Sequence, residues 1–274
     1  MTGAWLPELA GEVESGSRGT VRVTAQDRVA EIVLSRPEKM NAINTDVLRG
    51  IRLALAAVED RQEIRAAVVH GAGRCFSAGG DLREVKELVR EPARFDEFLD
   101  YWHASLGLLE RSPLPIIAAV HGFAFAGGFE LMQACDFAVA GERTQIGDQH
   151  ANFGLFPAGG STQRLSRLTG LRTAKWLLMT GDAVTAAEAL TLGLVNRVVA
   201  EEEVLPEARR MAAVLARKSR GGTAAIKYAV HAGRGMSLAE AAALERPVAL
   251  RHMASDDVQA GFAAFESRTE PDFR

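Results

Sequence analysis

Two glycine-containing turns are the segments of this 274-residue chain whose composition could support chemistry. The first spans residues 76–82 (FSAGGDL) and the second residues 122–130 (GFAFAGGFE), and each follows an apolar run that is typical of a buried strand. Because glycine has no side chain, its peptide N–H can approach a ligand closely. Two such N–H groups aimed at one point form an oxyanion hole, in which one donor is typically worth about 3–4 kcal/mol of transition-state stabilisation.

The glycine pairs also have a purely structural interpretation. Gly79 and Gly80, like Gly127 and Gly128, could serve only to permit a positive φ angle or close packing. Neither turn contains the G-x-G-x-x-G pattern or the phosphate loop ending in Gly-Lys-Ser/Thr, which disfavours nucleotide binding of those kinds. The second turn opens a predicted helix, whose N-terminal partial positive charge favours a developing enolate. Together the two turns favour oxyanion stabilisation.

Predicted strands alternate with predicted helices around these turns, which indicates an α/β sheet. The predicted strands are residues 21–24, 29–34, 66–69, 116–120, 137–140 and 194–199. One helix is capped by Asn44 or Thr45, and a second spans residues 127–134. From about residue 204 the chain is helical and rich in alanine. We therefore predict a core domain over residues 1–203 and a C-terminal helical region over residues 204–274.

Composition places the chain among ordinary folded proteins. Apolar residues make up 47% and charged residues 24%, and a net charge of −3 favours neither nucleic-acid nor membrane binding. The first 20 residues lack the apolar core of a secretory signal, and no run reaches the roughly 18 uninterrupted apolar residues of a membrane span. Cys75 and Cys135 are too few for a disulfide scaffold and lack metal-binding spacing, so we expect a cytoplasmic protein without a metal site.

Ordered motifs along nearly the whole chain resemble those of one family. Besides the two glycine turns, residues 36–42 (RPEKMNA), 157–165 (PAGGSTQRL) and 256–273 (DDVQAGFAAFESRTEPDF) are similar to segments of the crotonase superfamily, the enoyl-CoA hydratases and isomerases. The resemblance implies the crotonase (ClpP/crotonase-like) fold of repeated ββα units with a helical C-terminal trimerisation region. It also implies a homotrimer, commonly paired into a hexamer.

The resemblance further implies catalytic groups. The N–H groups of Gly80 and Gly127 would hold the thioester carbonyl oxygen of an acyl-CoA. Glu130 matches the first of two family glutamates that share a water, and His150 stands at the position of the second. By itself, Glu130 also fits a carboxylate favoured at a helix N-terminus, and His150 also fits a hydrogen-bonded structural histidine.

His150 is the departure from the family pattern. Imidazole has an unperturbed pKa near 6.5, so it can still act as an acid or a base at neutral pH. It could therefore substitute for the glutamate, serve another reaction or be inert. Asp148 and Asn152 are secondary candidates for orienting its ring, although ordinary loop capping explains them equally well.

Coenzyme A is expected as part of the substrate, and no separate cofactor is implied. The residues that the resemblance assigns to coenzyme A are Lys39, Ala78, Asp81, Leu82 and Arg83, together with Phe265 and Arg268 from a neighbouring subunit. Phe262 and Phe265, three residues apart, are equally compatible with a helix that faces a core.

The expected function is hydration of a 2-enoyl-CoA by an acyl-CoA enzyme. Because His150 replaces a glutamate, isomerase, decarboxylase and thioester hydrolase activities stay open, since each uses the same oxyanion pair. Outside the enzymes, the alternative is a non-catalytic module that binds acyl-CoA or RNA. The near-neutral charge and the presence of Glu130 argue against that module.

Overall fold

The computed structural model describes residues 7–273, with side chains from residue 10 onward. The strands within this range are β1 Val21–Gln26, β2 Val29–Leu34, β3 Ala66–Gly71, β4 Ile116–Val120, β5 Phe123–Phe125, β6 Phe137–Gly141, β7 Gln145–Gly147, β8 Ala183–Thr185 and β9 Arg197–Val199. The α-helices are α1 Pro7–Gly16, α2 Thr45–Glu59, α3 Leu82–Leu88, α4 Pro92–Arg111, α5 Gly127–Ala134, α6 Ser161–Thr169, α7 Leu171–Thr180, α8 Ala186–Thr191, α9 Val204–Ala216, α10 Arg220–Gly233, α11 Leu238–Met253 and α12 Asp256–Ser267.

Two sheets organise the chain. The larger has the order β1-β2-β3-β4-β6-β9, with β1 antiparallel to β2 and the other neighbours parallel. The smaller has the order β5-β7-β8, with β5 and β7 parallel and β8 antiparallel. Both glycine turns follow the carboxyl ends of neighbouring parallel strands, β3 and β4, where open α/β sheets bind ligands.

The larger sheet is covered on both faces, as parallel sheets usually are. In β3, Ala67 and Val69 belong to the apolar layer that includes α2 and α4, whereas Ala66 and Val68 belong to the layer formed with α9. The near-continuous apolar sequence of β3 and β4 follows from this double burial. The resulting rigid sheet fixes the positions of the two turns at its edge.

Most predicted elements are confirmed. The strands predicted at residues 29–34 and 116–120 and the helix at 127–134 coincide with β2, β4 and α5. Asn44 caps α2, because its side chain accepts a hydrogen bond from the amide of Val47. The prediction of a strand over residues 194–199 was too long.

β9 begins only at Arg197 because the preceding Asn196 pairs with β6 through its side chain. The backbone amide of Asn196 donates to the carbonyl of Ala138 at 2.7 Å, and its side-chain Oδ1 accepts from the backbone amide of Ala138 at 2.9 Å. Helix α1 was not predicted at all; its residue Val13 is buried against the core. From residue 10 onward, the apolar contacts of α1 with the core come from Ala10 and Val13, which are too few to give a periodic pattern in the sequence.

The C-terminal helices differ in their packing. α9, which starts at Val204, buries Ala208 and Ala212 against the sheet, whereas α10 and α11 bury none of their residues. The division into residues 1–203 and 204–274 stays a prediction. None of the helices within residues 7–273 is long and apolar enough to cross a membrane.

Candidate active site

The first glycine turn is braced by the segment that precedes α2. The side-chain amide of Asn41 donates hydrogen bonds of 2.9 Å to the carbonyls of Ala72 and Cys75, and its Oδ1 accepts from the Arg36 amide at 3.0 Å. Asn41 is fully buried and has a φ of 54°, a conformation that asparagine tolerates better than most residues. The Arg-Pro to Asn-Ala motif therefore has a structural role, which is to hold this turn.

A short parallel pairing sets the direction of the Gly80 amide. Ile43 donates to the Gly79 carbonyl at 2.7 Å and accepts from the Asp81 amide at 2.8 Å. Because backbone groups alternate in direction along extended chain, the intervening N–H of Gly80 points away from Ile43. Within residues 7–273 this N–H makes no hydrogen bond to the protein.

The second turn joins the first through backbone hydrogen bonds. The Phe125 amide donates to the Ser77 carbonyl at 3.0 Å, and Ser77 donates to the Phe123 carbonyl at 3.3 Å. Ala126 then adopts φ 47° and ψ −120°, which turns the chain sharply into α5. Its amide is held by the Gly147 carbonyl at 3.0 Å.

The two turns bring Gly80 and Gly127 together. A β-carbon added to Gly127 would lie 3.1 Å from the Gly80 nitrogen, and one added to Gly79 would lie 3.2 Å from the Gly127 nitrogen. As the first residue of α5, Gly127 has no intrahelical acceptor for its N–H, and this N–H makes no other hydrogen bond within the described residues. Two uncommitted backbone donors are thus adjacent at the start of a helix.

Glu130 lies one turn into α5 and is almost completely buried, at 1% exposure. Its Oε1 accepts a hydrogen bond of 3.3 Å from the Ser161 amide. Burial raises the pKa of Glu130 to about 7, with a further increase from the charge of Asp148, while the charge of His150 and the backbone amides oppose this. A carboxyl group with this pKa can both take up and release a proton near neutral pH.

Asp148, one of the two residues predicted as candidates to orient the His150 ring, contacts it directly. The Nδ1 atom of His150 lies 2.7 Å from Oδ1 of Asp148, which is fully buried. Burial acts to lower the pKa of His150, but the hydrogen bond to Asp148 and the negative charges of Asp148 and Glu130 raise it above its ordinary value. Its Nε2 makes no hydrogen bond to the described residues. Asn152 instead binds Gln149 and the Gly181 carbonyl.

Sequence reasoning missed two residues of this site, Trp102 and Gly159. A β-carbon on Gly159 would overlap with both Nε1 of Trp102 and Oε2 of Glu130, so glycine is needed there for space. The Trp102 ring lies beside Gly127, where an added β-carbon would be 2.7 Å from it. Of the two, only Gly159 carried a usable signal in the sequence, because it lies in the motif PAGGSTQRL.

The residues expected to bind coenzyme A differ in burial and in their contacts. Ala78 is half-buried in the first turn and donates its amide to Met40. The carboxylate of Asp81 is committed to Arg36 at 2.9 Å and to capping α3 through the Arg83 amide. The remaining side chains are all exposed: Lys39, Leu82, Arg83, Phe265 and Arg268.

Phe265 and Arg268 lie at the end of α12, and their expected place beside the coenzyme A of a neighbouring subunit stays a prediction. The Arg268 side chain forms no hydrogen bond or ion pair within residues 7–273. In the same range no group of three or more His, Cys, Asp or Glu side chains is placed to hold a metal ion. His121 follows β4, and its Nε2 lies 2.9 Å from the carbonyl oxygen of Gly73.

Comparisons with known proteins agree with this architecture. The family model for enoyl-CoA hydratase/isomerase matches residues 24–274. The crotonyl-CoA hydratase of Syntrophomonas wolfei is 35% identical over 249 residues, covering 90% of this chain and 95% of that protein. The mitochondrial enoyl-CoA hydratase of Pongo abelii is 33% identical over 275 residues, covering 99% of this chain and 92% of that protein.

A solved structure extends the similarity to three dimensions. The enoyl-CoA hydratase from Polaromonas sp. JS666 superposes with a TM-score of 0.89 at 32% identity, covering 93% of this chain and 99% of that one. The fold is therefore that of the crotonase superfamily, as the sequence motifs predicted. The chain belongs to the enoyl-CoA hydratase/isomerase family and is an enzyme of that family.

Proposed function

We propose that this enzyme hydrates 2-enoyl-CoA thioesters. The observation that carries the proposal is the adjacency of two uncommitted amides, on Gly80 and Gly127, one helical turn from the buried carboxyl of Glu130. The names of the relatives, a crotonyl-CoA hydratase and enoyl-CoA hydratases, support the same substrate class.

The amides act on the thioester carbonyl oxygen. Hydrogen bonds from Gly80 and Gly127 withdraw electron density from the conjugated double bond, which makes C3 electrophilic. When an oxygen nucleophile adds to C3, the electron pair moves to the carbonyl oxygen and forms an enolate. Donors that are already fixed stabilise this charge without reorganisation, and their loss typically costs about 10²–10³ in rate.

Glu130 and the protonated His150 divide the proton transfers. Ionised Glu130 accepts a proton from water as the water oxygen bonds to C3, and protonated His150 donates a proton to C2 as the enolate collapses. One water is thereby added across the double bond. After the addition Glu130 is protonated and His150 is neutral, so transfer of one proton from Glu130 to His150 restores the starting state. Two pKa shifts support this assignment: burial raises the pKa of Glu130 to about 7, and, despite burial, Asp148 and Glu130 raise the pKa of His150 above its ordinary value, which favours its protonated form.

The test is to offer purified protein crotonyl-CoA and longer enoyl-CoA thioesters and follow the absorbance of the conjugated thioester. We expect loss of absorbance with formation of the 3-hydroxyacyl-CoA, identified by mass spectrometry. Replacing His150 by alanine should lower the rate about 100-fold, whereas replacing it by glutamate should retain hydration. No hydration at any chain length would contradict the proposal.

Thioester hydrolysis is a second candidate, favoured by the Asp148–His150 pair. A histidine oriented by a buried carboxylate is an arrangement that activates nucleophiles in acyl transfer. Release of free coenzyme A, followed with a thiol reagent in the same reactions, separates the two activities. Hydration leaves the thiol esterified, whereas hydrolysis releases it.

The coenzyme A end of the site is proposed to involve a second copy of the chain. The C-terminal helices expose large apolar side chains, including Ile226, Val230, Leu250, Phe262 and Phe265, the last at 83% exposure. Exposed apolar surface of this kind is typical of protein interfaces. In a homotrimer or hexamer, Phe265 and Arg268 would approach the coenzyme A of a neighbour. Light scattering after size-exclusion chromatography measures the oligomeric state, and a monomer would contradict this assembly.

A further inference from the structure

Trp102 forms a wall of the candidate site although it belongs to neither glycine turn and lies in the segment between them. It sits in the middle of α4 and is 4% exposed. An added β-carbon would lie 2.7 Å from its ring at Gly127 and 4.0 Å from it at Gly80. The indole therefore borders the point at which the two amides converge.

The indole N–H is buried and has no hydrogen-bond partner within the described residues. A buried donor without a partner is energetically unfavourable, so such a group is usually matched when its ligand is bound. Nε1 also lies near Oε2 of Glu130. A β-carbon added to Gly159 would overlap with both Nε1 and Oε2, so the two atoms flank the same point. No hydrogen bond joins Nε1 to that carboxyl group.

The chemistry of these two groups selects what can sit between them. An indole N–H can only donate, and an ionised carboxylate can only accept. An oxygen that contacts both must therefore accept one hydrogen bond and donate another. Water and a hydroxyl group meet this requirement, whereas a keto oxygen or a methylene group does not.

We propose that the Trp102 N–H donates a hydrogen bond to the oxygen atom on which Glu130 acts. This oxygen is the attacking water before addition and the 3-hydroxyl group of the product afterwards. The inference rests on the proposed hydration for the identity of the oxygen. It makes Trp102 a residue that contacts substrate and distinguishes 3-hydroxyacyl from saturated acyl thioesters.

The variant Trp102→Phe tests this, because it removes the N–H and keeps an aromatic ring. In initial-rate assays we expect kcat for crotonyl-CoA hydration to fall about 10-fold with KM changed less than twofold, since the substrate lacks the 3-oxygen. Product inhibition by 3-hydroxybutyryl-CoA should weaken about 10-fold, whereas inhibition by butyryl-CoA should change less than twofold. Trp176→Phe is the matched control, because Trp176 is 64% exposed on α7 and should affect neither ligand.

Unchanged butyryl-CoA inhibition also shows that the variant is folded. Equal weakening of both inhibitors would assign Trp102 to packing alone and overturn the inference, as would no change in either. If the wild-type protein does not hydrate enoyl-CoA, it also does not dehydrate 3-hydroxybutyryl-CoA, so this ligand stays intact during a titration. Calorimetric titration of wild type and Trp102→Phe with each ligand then tests the hydrogen bond independently, and the same selective loss is expected.

Discussion

The two sides of the candidate site are built in different ways. On the α5 side, all eight residues of the helix are buried, and Gly127 and Glu130 are positioned by backbone geometry. On the other side, His150 lies in a 3-10 turn whose following residues are exposed, and one side-chain contact with Asp148 orients it. The contrast indicates that the residues on the α5 side are fixed by the core, whereas the His150 side can be exchanged without disturbing the core.

The largest effect is expected for Glu130→Gln. The amide side chain has nearly the same shape but cannot accept the proton of the attacking water. We expect kcat for crotonyl-CoA hydration to fall about 10³-fold, within the range usual for loss of a general base, while butyryl-CoA binding changes little. Initial rates and calorimetry measure the two quantities, and full activity would remove Glu130 from the mechanism.

A matched pair of alanine substitutions tests how tightly the α5 side is built. Gly127→Ala would place a β-carbon 2.7 Å from the Trp102 ring and 3.1 Å from the Gly80 nitrogen, so we expect kcat/KM to fall about 100-fold. Gly80→Ala is the control, because its β-carbon would meet its nearest neighbours, Val85 and Trp102, only at 3.9 and 4.0 Å. That variant should stay within about threefold of wild type, and equal losses would contradict the comparison.

Burial of Glu130 should also make the fold less stable at alkaline pH. Its pKa is about 7 in the folded protein and 4.5 as an ordinary value, so between these values the unfolded state loses the proton first and stability falls as pH rises. The full effect, reached above pH 7, is about 3 kcal/mol. Glu130→Gln does not titrate there, so its thermal midpoint relative to wild type should be higher at pH 8 than at pH 5. An equal difference at both pH values would contradict the raised pKa.

The smallest effect is expected for Asp148→Asn on the exchangeable side. Loss of the negative charge lowers the pKa of His150 and also that of Glu130, because Asp148 raises both. We expect about a 10-fold loss of kcat and a shift of the whole pH profile of kcat/KM to lower pH. Asn152→Ala, in the same turn but bonded to Gln149 and Gly181, should leave the profile in place. A profile unmoved by Asp148→Asn would exclude the pair from proton transfer.

Sequence patterning predicted the elements that carry the site better than it predicted the site itself. β4 and α5 matched their predicted bounds because continuous burial and a glycine pair leave clear signals in the sequence. Gly80, Gly127, Glu130 and His150 were found through motifs. Their assigned roles stay proposals, because a motif gives residue identity and not the position of a reacting atom.

Contacts between distant segments had no comparable signal. Trp102 lies in an amphipathic helix, where one more apolar residue suggests only packing, and its proximity to Gly159 depends on how α4 meets the turn before α6. The contact of Asp81 with Arg36, 45 residues earlier in the chain, likewise had no signal in the sequence. The expected place of Asp81 beside coenzyme A stays a prediction.

Ala126 has a consequence for how the two turns can change. It holds a φ of 47°, which costs a residue with a β-carbon about 1–3 kcal/mol, and that carbon would be 2.8 Å from one added to Gly79. The Ala126 methyl group therefore fills the space that a side chain at position 79 would need. A methyl group at position 79 requires a smaller residue at position 126, and only glycine is smaller than alanine. A double-mutant cycle of Gly79→Ala with Ala126→Gly should therefore show a favourable coupling energy in the free energy of unfolding. Removing the Ala126 methyl group frees the space that the new methyl group at position 79 needs.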